Sequence, residues 1–228
     1  MDMNNTLKLL DGKKAASLFA RMYGPEDTAV QKERYKEVVR GFEKEFGEKD
    51  VLLFSSPGRT EISGNHTDHN HGKVLAGSIN LDCVGAAARN TSNEVRIVSV
   101  TFDQKITIDL NDLSPSAKKA GTTDLVKGLL KGFRESGYEV GGFDAYITSN
   151  VISSAGVSSS AAFEMLICSM VNVLFNDGRI NTVAYAHIGK YAENHYWDKA
   201  SGLLDQMACA VGGLITIDFF EPADPKVE

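Results

Sequence analysis

Long apolar runs, clustered charges and paired cysteines are all scarce in this 228-residue sequence. No apolar run approaches the roughly 18 residues that a membrane-spanning helix needs, and the N-terminus lacks the hydrophobic stretch of a signal peptide. The net charge of −6 is spread along the chain without a run of like charges, which argues against a nucleic-acid surface. We therefore expect a soluble, cytoplasmic protein that binds neither a membrane nor nucleic acid.

The cysteines are few and isolated. Cys83, Cys168 and Cys209 are odd in number, widely spaced and each next to an apolar residue, so neither a disulfide framework nor zinc-ligand spacing is present. Reduced, buried thiols are expected. Internal repeats and low-complexity linkers are also absent, and 43% hydrophobic residues suffice to bury a core as one large domain or two small ones.

Hydrophobic periodicity predicts helices first, then strands, then helices again. The helices are expected at residues 7–23 (interrupted at Gly12), 28–46, 124–135, 159–175, 182–196 and 203–211. The strands are expected at residues 51–55, 74–80, 84–89, 94–100, 105–110, 143–149 and 214–219. Strands that precede most of the helices indicate an α+β fold rather than regular βαβ alternation.

The most polar segment is the stretch of sixteen residues at 57–72, PGRTEISGNHTDHNHG. Between two strand-like runs it either lines a pocket or forms a solvated loop. The histidine spacing admits a zinc hydrolase whose ligands are His66, Asp68, His69 and His71. A sugar site fits better, because Asp68 accepts hydrogen bonds from two vicinal hydroxyls, Asn65 and His66 lie beside it, and Arg59 is at the reacting end.

A second segment, residues 146–163, places a loop of small residues between a strand and a helix. Gly156 and the serines allow backbone N–H groups to approach an anion, and the helix that begins near Ser158 directs its positive end there. Ser160 is placed to give a hydroxyl to a phosphate-bound Mg²⁺. No lysine follows, so this is not a Walker A loop, and an ordinary N-capped helix is the alternative.

A third segment places two acids twelve positions apart, Glu193 late in one helix and Asp205 early in the next. An acid early in a helix is often only a partner of the helix dipole. Asp205, however, is surrounded by apolar residues, and an acid in that setting is either paired or functional.

Taken together, these segments resemble a known family. PGRTEISGNHTDHN resembles the galactokinase signature, SSAGVSSSAA resembles the phosphate loop of GHMP kinases, and ENHYWDKASGLLDQ resembles the family's Glu-to-Asp segment. Order and spacing agree from residue 54 to 218. The resemblance implies a GHMP-kinase N-terminal domain over residues 49–228 (ribosomal protein S5 domain 2-like, a mixed sheet with helices packed on it). Residues 1–48 are then an N-terminal helical extension, and the family's C-terminal domain is absent from this chain.

The resemblance also implies the reaction, which transfers the γ-phosphate of ATP to the C1 hydroxyl of galactose with Mg²⁺. Separately, a monomer is expected. The resemblance makes Asp205 and Arg59 catalytic, and Ser160 and Glu193 the Mg²⁺ ligands. The substrate-binding residues it implies are Arg59, Asn65, His66, Asp68, Gly202 and Asp205. The phosphate-binding residues it implies are Ser154, Ala155, Gly156, Val157, Ser158, Ser159 and Ser160.

Three positions depart from the family pattern. Asn65 stands where Glu is usual, Asp198 where Gly is usual, and Ser154 replaces the first Gly of the loop. An unperturbed aspartate, whose pKa is about 3.9, is a poor base for an alcohol, so Asp205 is expected to orient the hydroxyl and take its proton late.

The alternatives to this function are a non-catalytic sugar sensor and a kinase for another sugar. The isolated chain is expected to be poorly active.

Overall fold

The computed structural model describes residues 3–118, 121–197 and 201–228. Three helices open it: α1 (Met3–Leu10), α2 (Lys13–Tyr23) and α3 (Thr28–Phe46). Four strands follow: β1 (Leu52–Ser63), β2 (Lys73–Arg89), β3 (Glu94–Ser99) and β4 (Gln104–Asp109). The remaining elements are α4 (Thr122–Glu135), β5 (Phe143–Ser149), α5 (Ser159–Phe175), α6 (Thr182–Tyr196), α7 (Leu204–Val211), β6 (Leu214–Asp218) and β7 (Lys226–Val227).

The described strands form one mixed sheet in the order β4-β3-β5-β2-β6-β7, with β1 also paired to β2. β3 and β5 are parallel, and the other pairs are antiparallel. This confirms the predicted α+β fold with a mixed sheet. No helix in the described part of the chain is long and apolar enough to cross a membrane.

β2 is a single strand of 17 residues, so the prediction of two strands at 74–80 and 84–89 is wrong. Its first half pairs with β6 and its second half with β5, while β1 pairs along most of its length. These ladders hold the intervening polar residues extended. β1 continues to Ser63, into the polar segment at residues 57–72. β7 forms at Lys226–Val227, where no strand was predicted.

Helices cover both faces of the sheet, because successive strand residues point to opposite sides. Val84, Ala86 and Ala88 of β2 pack with the buried residues of α1, α2 and α3. Cys83 and Ala87, in the alternate positions, belong to the larger core formed with α4, α5 and α6. The helices at residues 28–46, 159–175 and 182–196 have the predicted bounds.

A buried polar cluster attaches α2 and α3 to the sheet. Arg34 donates from Nη1 to Asp82 Oδ1 at 2.6 Å and from Nη2 to the Asp82 carbonyl at 2.8 Å. The hydroxyls of Tyr23 and Ser55 donate to Asp82 Oδ2, and the Tyr23 and Tyr35 hydroxyls lie 2.8 Å apart. Burial, with the nearby Asp82 charge, raises the pKa of Tyr35 to about 12.

The predicted domain boundary between residues 48 and 49 stays a prediction.

A second buried carboxylate, on β5, contacts β3 and the residues that follow α3 and β2. Asp144 is fully buried and accepts from Arg96 Nε at 2.7 Å, from Asn90 Nδ2 at 2.9 Å and from Lys49. Burial alone would raise the pKa of Asp144, but the hydrogen bonds from Arg96, Lys49 and Asn90 outweigh it and lower that pKa. Asp144 is therefore a stabilising anion.

Candidate functional site

A bulge in β1 brings the predicted arginine to the small-residue loop. The register with β2 shifts between Pro57 and Arg59. A Cβ on Gly58 would lie 2.7 Å from the Val157 carbonyl oxygen, so only glycine permits this approach. The backbone N–H of Arg59 donates to the same carbonyl at 3.1 Å. β1 and the loop before α5 are thus held against each other.

Arg59 and Asp205 form a close ion pair. Arg59 is only 5% exposed, and its Nε and Nη2 donate to Asp205 Oδ1 at 3.0 and 2.6 Å. Its Nη1 donates to the Gly156 carbonyl. The Ser158 hydroxyl donates to Asp205 Oδ2 at 2.7 Å. Both carboxylate oxygens of Asp205 therefore accept hydrogen bonds, while a quarter of the Asp205 side chain stays exposed.

The loop before α5 has three left-handed residues, Ser154, Gly156 and Ser158, with φ of 61°, 72° and 58°. For a residue other than glycine this conformation costs of the order of 1–3 kcal/mol. Ser158 directly precedes α5, yet its side chain makes no capping hydrogen bond and instead contacts Asp205. The geometry is therefore not that of an ordinary Ser-capped helix, and strain of this kind is typical of ligand-binding loops.

Asp68 connects the polar segment to the start of α7. It lies in a short 3₁₀ turn (Thr67–Asn70), is 6% exposed, and its Oδ2 accepts from the backbone N–H groups of Leu203 and Leu204 at 2.8 and 3.2 Å. A Cβ on Gly202 would lie 1.7 Å from that oxygen. Asp68 Oδ1 has no hydrogen-bond partner among the described residues. This oxygen is buried.

A cavity of about 220 Å³ opens beside these groups. Its lining residues are His66, Asp68, His69, Ser201, Gly202, Leu204, Asp205 and Gln206. Asn65 and His66 are exposed, both with left-handed backbones, at φ of 49° and 52°. The backbone N–H of His66 donates to Glu61 Oε1 at 2.9 Å, which fixes the turn. Four of the six predicted sugar-binding residues, His66, Asp68, Gly202 and Asp205, thus line one cavity, whereas Arg59 and Asn65 are not in its lining.

The histidines do not converge on a metal. His71 Nδ1 lies 3.0 Å from the Phe220 carbonyl, and His69 Nε2 lies 4.0 Å from Asp68 Oδ1. Within residues 3–118, 121–197 and 201–228, no three His, Cys, Asp or Glu side chains are grouped to hold a metal ion. The geometry gives the zinc-hydrolase alternative no support.

The predicted Mg²⁺ pair lies at the start of α5 and near the end of α6. Ser160 Oγ is 3.4 Å from Glu193 Oε1, and Glu193 is fully buried. Next to Ser160 is a mostly apolar cavity of about 220 Å³, whose lining includes Phe102, Phe163 and Trp197. Ser159 and Ser160, at the start of α5, line this apolar cavity, whereas Ser158 contacts Asp205 of the polar cavity. A larger, open cleft of about 890 Å³ near Lys49 contains none of the predicted site residues.

Three residues near the site have roles that the sequence did not predict. His69, a candidate zinc ligand, lines the polar cavity. Gln206 directly follows Asp205 and Glu164 lies one helical turn after Ser160, so their helical positions relative to these candidates are the signal that could have found them. Asp198, one of the departures from the family pattern, lies outside the described residues.

Comparisons with known proteins identify relatives of this chain. The galactokinase galactose-binding signature matches residues 40–89, and the N-terminal domain of GHMP kinases matches residues 124–213. The chain is 36% identical to the galactokinase of Clostridium tetani over 176 residues, which is 77% of this chain and 45% of that protein. It is 37% identical to the galactokinase of Lactiplantibacillus plantarum over 174 residues, 75% of this chain and 44% of that one.

Solved structures give the same result. Lactococcus lactis galactokinase complexed with galactose matches with a TM-score of 0.75 and 29% identity, over 82% of this chain and 50% of that one. Methanococcus jannaschii mevalonate kinase, at 17% identity and a TM-score of 0.64, shares the fold. The chain spans about 45% of the length of the curated relatives. It belongs to the galactokinase family of GHMP kinases, and it corresponds to the family's N-terminal region.

Proposed function

We propose that this chain is the sugar-binding part of a kinase that transfers the γ-phosphate of ATP to the C1 hydroxyl of galactose. The observation that supports this best is the position of Asp205. One of its neighbours, Ser158, belongs to the small-residue loop, and the carboxylate itself lines the polar cavity. A single carboxylate therefore lies where a sugar hydroxyl and a terminal phosphate would meet.

The sugar would occupy the polar cavity. Asp68, held by two backbone N–H groups, would offer Oδ1 to a ring hydroxyl. His66 lines the cavity, and it and its chain neighbour Asn65 can donate or accept. The structural neighbour from L. lactis is complexed with galactose. Galactose is accordingly the proposed sugar. Asn65, which stands where Glu is usual, is the residue that bears most directly on this choice.

ATP would place its phosphates along residues 154–160, at the positive end of the 17-residue helix α5. Its base would enter the apolar cavity that Phe102, Phe163 and Trp197 line. Ligand cavities are typically lined by apolar and aromatic side chains with a few polar groups, which agrees with this assignment.

Ser160 and Glu193 fit a magnesium ion. Mg²⁺ prefers oxygen ligands and commonly takes one or two carboxylates, with its other positions filled by water and substrate phosphates. A hydroxyl and a carboxylate 3.4 Å apart supply that donor set. When bound, Mg²⁺ neutralises negative charge on the phosphate oxygens, which is its usual contribution to phosphoryl transfer.

The chain's own residues would then position the reactants. Asp205, fixed by Arg59 and Ser158, orients the C1 hydroxyl and accepts its proton as the new bond forms. Arg59, which is almost fully buried, stabilises negative charge at the reacting oxygens. Positioning and electrostatics are what phosphoryl transfer chiefly requires.

The decisive variant is Asp205→Asn, in the longest natural product that contains this chain. We expect turnover to fall at least about 10²-fold, while the galactose-induced rise in melting temperature is retained. Asp177→Asn is the matched control, since Asp177 is exposed and pairs only with Arg179 in the described structure. A parent protein that binds galactose without any turnover would instead indicate a sugar sensor.

The choice of sugar has its own test. Melting temperatures measured with galactose, N-acetylgalactosamine, glucose and arabinose, each with and without Mg-ATP, should rise most with galactose. A larger rise with another sugar would correct the proposed substrate. No rise with ATP would contradict the kinase proposal itself.

A further inference from the structure

A buried polar cluster joins three helices directly behind the Ser160–Glu193 pair. Glu164 of α5, Glu193 of α6 and Gln206 of α7 are all at most 1% exposed. Gln206 Nε2 donates to Glu193 Oε2 at 2.9 Å and to Glu164 Oε2 at 3.2 Å. The phosphoryl-transfer steps described above do not use Glu164 or Gln206. Acidic residues are almost never fully buried unless they are paired, so the cluster has a structural or positioning task.

The orientation of Gln206 is determined by charge. A primary amide has two N–H donors, and both are used here on carboxylates. If the amide were turned end for end, its carbonyl oxygen would face two acidic side chains. Gln206 Oε1 has no hydrogen-bond partner among the described residues, so no other donor in that part of the chain competes for the orientation. The Gln206 amide can therefore hold the Glu193 carboxylate in one orientation.

A glycine provides the space for the cluster. Gly189 lies on α6 one turn before Glu193, and a Cβ there would be 2.8 Å from Gln206 Cγ and 2.8 Å from Glu164 Oε2. The absence of a side chain lets α6 approach α5 and α7 closely. This approach places one oxygen of Glu193 near Gln206 and the other near Ser160.

We propose that Gln206 is a positioning residue for Glu193, with Glu164 as the anchor that fixes Gln206. The amide holds Glu193 Oε2 inward, so that Oε1 is presented to the metal beside Ser160. The inference rests on the proposed function, because the metal is the one assigned to Ser160 and Glu193. Hydrogen-bond partners behind metal ligands commonly change metal affinity 10–100-fold when they are removed.

The test compares metal-dependent and metal-independent binding of ATP. Gln206→Met keeps the length of the side chain and removes both donors. Isothermal titration calorimetry on the longest natural product would measure the affinity for ATP with Mg²⁺ and with EDTA. We expect the ratio of the two affinities to fall about tenfold or more, with the affinity in EDTA unchanged.

Two further variants test the anchor. Glu164→Gln still offers an oxygen to the Gln206 amide, so we expect the Mg²⁺ dependence to stay close to that of the parent protein. Glu164→Leu removes this oxygen, and we expect it to behave like Gln206→Met. The matched control is Gln31→Met, which removes another buried glutamine, on α3 across the sheet, and should leave the ratio unchanged.

The outcomes separate the inference from the proposed function. A folded Gln206→Met protein with the parent's affinity ratio would overturn the inference alone. A parent protein whose ATP affinity does not depend on Mg²⁺ would overturn the proposed metal site and the inference with it. If Gln206→Met does not fold, Gln206→Asn, which shortens the side chain and withdraws the donors, should lower the same ratio, and an unchanged ratio there would also overturn the inference.

Discussion

Replacing Arg34 with methionine should destabilise the protein by about 3–5 kcal/mol, because it leaves a buried carboxylate without its cation. The Asp82 side chain is 3% exposed and that of Arg34 is 11% exposed. The substitution removes the 2.6 Å bond to Asp82 Oδ1 and the 2.8 Å bond to the Asp82 carbonyl. The hydroxyls of Tyr23 and Ser55 still donate to Asp82, so we expect a loss near the lower end of that range.

Urea unfolding followed by circular dichroism measures this loss as a lower midpoint with an unchanged slope. The control is Lys105→Met, which breaks the 2.7 Å pair with Glu45, whose partners are 71% and 29% exposed. A pair of that exposure is worth about 0–1 kcal/mol. Arg34→Met/Asp82→Asn should cost less than the sum of the single variants, because Asp82→Asn removes the unpaired charge.

The reasoning is refuted if Arg34→Met costs less than about 1 kcal/mol, the range expected of an exposed pair. Strict additivity of Arg34→Met and Asp82→Asn would also refute it, since the two groups would then not interact.

Three further predictions concern the site, the response to pH and the thiols. Gly202→Ala should abolish the galactose-induced melting shift, because its Cβ would lie 1.7 Å from Asp68 Oδ2; an unchanged shift would show that Asp68 does not bind the sugar. The free energy of unfolding of Asp144→Asn should differ from the parent's most near pH 7. Since the pKa of Asp144 is lowered in the folded state, this difference should shrink below about pH 4 as the carboxylate is protonated, and urea titrations at several pH values would measure it. Thiol labelling with Ellman's reagent should be slow until the protein is unfolded, because all three thiols are buried and burial raises their pKa, to about 12 for the first of them; rapid labelling of the folded protein would contradict the placement of Cys83, Cys168 and Cys209.

Sequence reasoning predicted most helices to within two residues, because their signals are local. The helix at 28–46 has one apolar face and ends at Gly47, which has a positive φ of 79°. The strands were harder. The sequence predicted a break between residues 80 and 84, but Asp82 is paired with Arg34, 48 residues earlier, and stays in the strand. Polarity alone could not reveal a partner so far away in the chain.

The site shows the same division. Chemical types and spacing identified Arg59, Asp68, Glu193 and Asp205 as candidates, since carboxylates and arginine among glycines suit sugar and phosphate. The hydrogen bonds from Gln206 to Glu164 and Glu193 had no comparable signal in the sequence, because a glutamine in a short apolar helix is ordinary. Its importance depends on two acids from other helices that only packing brings together.

By itself, then, the sequence indicated the family through a resemblance, the α+β class through the order of its strands and helices, and candidate groups for the site through residue type. The tertiary structure decided which groups meet. Asp205 is held by an arginine 146 positions away, and Asp68 accepts hydrogen bonds from backbone 135 positions away. Such contacts arise from the bulge in β1 and the close approach of three helices at Gly189, and these are consequences of long-range packing that no local pattern encodes.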